Sequence, residues 1–167
     1  MIRTTIGEFL DGRVDPSVLR DCRVFVVRHG ETTMYVGHGE NVVERLQDHL
    51  TLKPLWGGDT LARLVLANEP ASRDWQVEMF TLSDCDEVVQ AEMARYPAWY
   101  EAPWALDIAS KVMIRALRPC VNAVHNPDPS PLPADCQWPS NEVSDSEDAW
   151  RRKAAAKLRI APETWGR

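Results

Sequence analysis

Residues 24–50 read VFVVRHGETTMYVGHGENVVERLQDHL, and their patterning decides the fold. Val24 to Val27 are four consecutive apolar residues, three of them β-branched, as a buried strand requires. The polar turn RHGETT follows, and then a second apolar piece, Met34 to Val36. Two β-rich runs around a Gly-containing loop predict a hairpin. Gly37 and Gly39 break the second strand, and Asn41 is placed to cap a helix over VVERLQDHL. There Val42, Leu46 and Leu50 recur on one face, while Glu40 and Glu44 sit near the positive N-terminal end.

Outward from this stretch the pattern stays mixed. DTLARLVLA reads as a helix with Asp59 as its cap, and Trp75 to Leu82 alternates as a half-buried strand. DEVVQAEMARY reads as a helical piece within a peripheral insertion, residues 83–104, which closes with an aromatic loop. DIASKVMIRALR is helical again and stops at Pro119. Residues 1–22 form a helical lead-in. Residues 123–147, rich in Pro, Ser and acid, predict an extended or disordered connector. Residues 148–167 form a basic helical tail. The fold class is therefore α+β, a small and mainly antiparallel three-stranded sheet flanked by helices, with a C-terminal extension.

Composition bounds the partners. The 167 residues suffice for one domain, with 44% hydrophobic and 26% charged residues placing the chain among globular proteins. A net charge of −6 means that any nucleic-acid contact needs a local basic face. Cys22, Cys85, Cys120 and Cys136 are scattered without metal-ligand spacing, which argues against a zinc site. The opening MIRTTIGEFLDGR is too polar for a signal peptide, and no apolar run spans a bilayer. Cytoplasmic localisation, with reduced cysteines and no membrane partner, is the expectation.

The ordered set Tyr35-Val36-Gly37, Asn41, Arg45 and His49, then WQVEMFTL, and finally Pro119 and Asn122 resembles the GIY-YIG nuclease family. The likeness covers residues 23–122. It implies a metal-dependent DNA endonuclease that uses Mg²⁺ or Mn²⁺. On that likeness Tyr35 takes the proton from the attacking water, helped by His38, while Arg45 clamps a phosphate oxygen and His49 supports the geometry. Gly37, Asn41 and Asn122 lie on the nucleic-acid side, Gly37 because a bulky side chain would block a phosphate backbone. In the tail, Arg151, Arg152 and Lys153 supply further phosphate contacts.

Two positions depart from the family pattern. Arg23-Val24-Phe25 stands where Gly-Ile-Tyr is expected, so one hydroxyl is missing. The family's metal-binding Glu precedes the closing Pro, and counting back from Pro119 lands on Ser110, a poor Mg²⁺ ligand. Asp107, one turn earlier, or Glu92, within EVVQAE, then stands as the candidate ligand. The departures leave open a second reading, a binding module for nucleic acid or protein with little catalysis. A third comes from RHGET, which resembles the phosphohistidine motif of the histidine phosphatases, with His29 as nucleophile, Arg28 on the phosphate and His125 as the late histidine.

Overall fold

A computed structural model describes residues 1–50, 60–95 and 105–138, apart from the side chains of 88, 92, 93, 95 and 105–107. Its order is β1 (Ile2–Thr5), α1 (Ile6–Leu10), β2 (Cys22–His29), β3 (Thr32–His38), α2 (Val42–Leu50), α3 (Thr60–Ala67), β4 (Gln76–Thr81), α4 (Leu82–Arg95) and α5 (Ala105–Leu117). The sheet is four-stranded and antiparallel throughout, in the order β1-β4-β2-β3. The α+β class expected from the sequence is present.

The run VFVV is explained by its place. β2 is an inner strand, and Val24, Phe25, Val26 and Val27 are all fully buried because both faces of the sheet are covered. Phe25, Val27, Val77 and Met79 face one core with Ile6 and Phe9 of α1, Leu46 and Leu50 of α2, and Leu61 and Leu64 of α3. Val24, Val26 and Val36 face a second core with Cys85 of α4 and Ala109, Met113 and Ile114 of α5. Gly30, at φ +55°, supplies the left-handed residue that turns β2 into β3.

Three expectations are corrected. Residues 1–22 are not purely helical, because β1 pairs with β4 and makes a fourth strand. Its Arg3 joins Arg28 of β2 in holding the Glu78 carboxylate, which is 5% exposed, at 3.0 Å and 2.8 Å. Thr5 ends that strand and caps α1 through a reciprocal capping box with Glu8. The segment read as a peripheral insertion is integral as far as it is described, since α4 lays Cys85 into the second core.

The third correction concerns the connector. Residues 119–138 form neither helix nor strand but are docked on the domain, 119–122 on the sheet and 123–138, the described part of the connector, against the first core. Cys120 N–H donates to Thr33 C=O and Val121 N–H to Met34 C=O, along the outer edge of β3. Leu132 and Cys136 pack against the first core, and Gln137 exchanges two hydrogen bonds with the Asn68 side chain. Residues 139–167, the basic tail included, lie outside the described residues, as does the Asp59 cap. No helix among the described residues is long and apolar enough to cross a membrane.

Candidate active site

The site is built where β3 meets α2. Tyr35 projects from β3 toward the first core, and α2 brings Arg45 and His49 to it from consecutive turns of one face. Asn41 starts that helix: its side chain accepts from Glu44 N–H at 3.2 Å, and its carbonyl accepts from Arg45 N–H at 3.0 Å. Tyr35 Oη and His49 Nε2 are hydrogen-bonded at 3.2 Å, with ring centroids 5.0 Å apart. Phe25 packs on both rings at 6.0 Å. His49 is only 4% exposed and Tyr35 is half-buried, so the hydrogen bond between them is largely shielded from solvent.

The electrostatics of this pair oppose one another. Burial pushes the Tyr35 phenol above its ordinary value, and the Arg45 charge pulls it part of the way back. A raised folded-state value means that the folded protein holds this proton after the unfolded chain has released it. Its contribution to stability is complete below about pH 10 and is lost as pH climbs through the folded value. The urea midpoint therefore falls between about pH 9 and 11 by more in the parent than in Tyr35→Phe. Equal falls would show that Tyr35 does not titrate in this way.

The structure separates other residues that the sequence grouped with Tyr35. Strand alternation turns His38 to the face opposite Tyr35, so the partner of the phenol is His49. Gly37 is not a gap for a ligand. A Cβ there would meet Cζ, Cε1 and Cε2 of Phe25, with Cε2 at 2.9 Å, so the glycine makes room for the Phe25 ring. Ser110 faces inward as helical spacing requires and is 2% exposed, but α5 packs on the sheet face opposite Tyr35. Glu92 and Asp107 lie on α4 and α5, and their side chains fall outside the described residues.

Asn122 has a structural task. Its Oδ1 accepts from Val36 N–H and its Nδ2 donates to Val36 C=O, both at 2.8 Å, which fixes β3 next to Tyr35. Asn122→Ala strands both backbone groups and is expected to cost about 1–3 kcal/mol in urea denaturation. A loss under about 0.5 kcal/mol would mean that water replaces the amide without cost.

The RHGET turn is occupied by internal contacts. Arg28 donates to Glu78 and to Thr33 Oγ1 at 2.9 Å, and His29 Nε2 meets Asp135 Oδ2 at 2.7 Å. His125 is exposed, at φ +62°. A phosphate at Arg28 would have to compete with a buried carboxylate, and the antiparallel sheet lacks the parallel strands expected of a phosphohistidine fold.

Compared with protein-family models, with curated proteins and with solved structures, the chain matches none.

Proposed function

We propose that this protein hydrolyses phosphodiester bonds in DNA, the activity implied by its resemblance to the GIY-YIG nucleases. The observation that carries the reading is the hydrogen bond between Tyr35 Oη and His49 Nε2, with the Arg45 charge acting on the same phenol. A neutral His49 with an unprotonated Nε2 accepts the phenol proton as Tyr35 takes one from the attacking water. Arg45 holds a phosphate oxygen and offsets the charge that develops on it. The order of β2, β3, α2, α3, β4 and the closing helices is compatible with the same reading.

The described residues do not fit the Mg²⁺ or Mn²⁺ ion that the resemblance implies. Ser110 has no carboxylate and is buried on the opposite face of the sheet. A second reading rests on that observation: the fold is retained as a module that binds nucleic acid with little cleavage. Supercoiled, linear, branched and single-stranded DNA, each incubated with Mg²⁺, Mn²⁺ or chelator, separate the two. Cleavage of at least one substrate is expected, and its persistence or loss with chelator tells whether a divalent ion takes part. Binding that weakens steeply with salt, with every substrate left intact, would replace the nuclease by the module.

A further inference from the structure

We propose that His29, Asp135 and Cys136 form a zinc-binding site that ties the C-terminal extension to the β2–β3 turn. One ligand atom from each of the three lies within 4.8 Å of the other two. The cluster is independent of Tyr35, and none of its members has a role in the phosphodiester reading.

The donor set selects the ion. An imidazole nitrogen, a carboxylate oxygen and a thiolate sulfur together suit Zn²⁺, whereas Mg²⁺ and Ca²⁺ prefer oxygen ligands throughout. Tetrahedral bonds of about 2.0–2.3 Å place ligand atoms about 3.3–3.8 Å apart. The His29 to Asp135 contact, at 2.7 Å, must open slightly, and the Asp135 side chain is 70% exposed and has room to do so. Three protein ligands leave the fourth position to water.

Two of the three ligands are held before any ion enters. The His29 ring packs at 5.6 Å on the indole of Trp75, itself only 2% exposed. Cys136 sits in a turn closed by its own N–H on Pro133 C=O at 2.9 Å, and the next residue is pinned by Asn68. Cys120, packed against the same core, donates its thiol to Pro131 C=O at 3.2 Å and stays outside the set. The two halves of the cluster are 106 residues apart, so an ion there would cross-link the hairpin turn to the extension.

The test uses the full chain stripped with a chelator, titrated with Zn²⁺ by calorimetry and with Co²⁺ by absorption. One ion per chain is expected, and Co²⁺ should show tetrahedral ligand-field bands with a thiolate-to-cobalt charge-transfer band. Cys136→Ser removes the charge-transfer band, and His29→Ala weakens Zn²⁺ binding by at least about tenfold. Cys120→Ser keeps both. Zn²⁺ raises the melting temperature of the parent and of Cys120→Ser, but not of the two ligand variants, whose folding is checked by circular dichroism. The proposal is overturned by the absence of saturable one-to-one uptake, by equal uptake in the ligand variants, or by loss of the charge-transfer band in Cys120→Ser.

Discussion

If the protein is the nuclease proposed above, Arg45→Ala is expected to slow DNA cleavage by at least about 100-fold and to leave the fold intact. Both halves of that expectation follow from where Arg45 sits. The core face of α2 is made by Val42, Leu46, His49 and Leu50, so truncating Arg45 removes little that packs. What disappears is a positive charge that acts on Tyr35 and, on the proposed function, the clamp for the scissile phosphate. Without that charge, burial acts on the phenol unopposed, and its value rises further. The rate profile of the variant should therefore be displaced to higher pH as well as lowered. Arg45→Lys restores the charge without the planar fork and should recover only part of the rate. Cleavage by Arg45→Ala within twofold of the parent would remove Arg45 from the reaction, and an unshifted pH profile would remove its action through Tyr35.

Gly37→Ala should destabilise the protein by about 1–3 kcal/mol, read from urea denaturation, because an added methyl has to displace the Phe25 ring. Phe25 is fully buried and packs against the Tyr35 and His49 rings, which any displacement of it must disturb. The penalty should shrink when Phe25→Leu is combined with it. The two changes then couple favourably in a double-mutant cycle, since the smaller side chain vacates the volume the methyl needs. Additive losses would show that the strain of Gly37→Ala is relieved elsewhere. On the proposed function, the methyl also disturbs Tyr35 through the ring, so cleavage should fall together with stability.

How far the sequence could be read follows the range of the interactions concerned. The hairpin, the Asn41 cap, the helical face of Val42, Leu46 and Leu50, and the alternation of β4 were legible because each is a local pattern. That Arg45 and His49 share one side of α2 was legible from their four-residue spacing, whereas setting Tyr35 beside them rested on the resemblance to the GIY-YIG nucleases. β1 was not. Ile2-Arg-Thr-Thr is short and polar, and becomes a strand through its pairing with β4 and the Arg3 ion pair to Glu78. The role of His38 was misjudged because closeness in sequence outweighed strand alternation. The grouping of His29, Asp135 and Cys136 had no sequence signal at all, since composition gives 123–138 an extended conformation and says nothing of where it docks.

The segment that closes β3 also fixes the order in which the sheet can be finished. During synthesis the hairpin and α2 emerge early, while Cys120, Val121 and Asn122 follow only after α5. Until then the outer backbone groups of β3 from Thr33 to Val36 face solvent as an unpaired strand edge, a template for the same edge of a second nascent chain. The short segment from Cys120 to Asn122 thus acts late and in cis, as the chain's own guard against pairing with its neighbours.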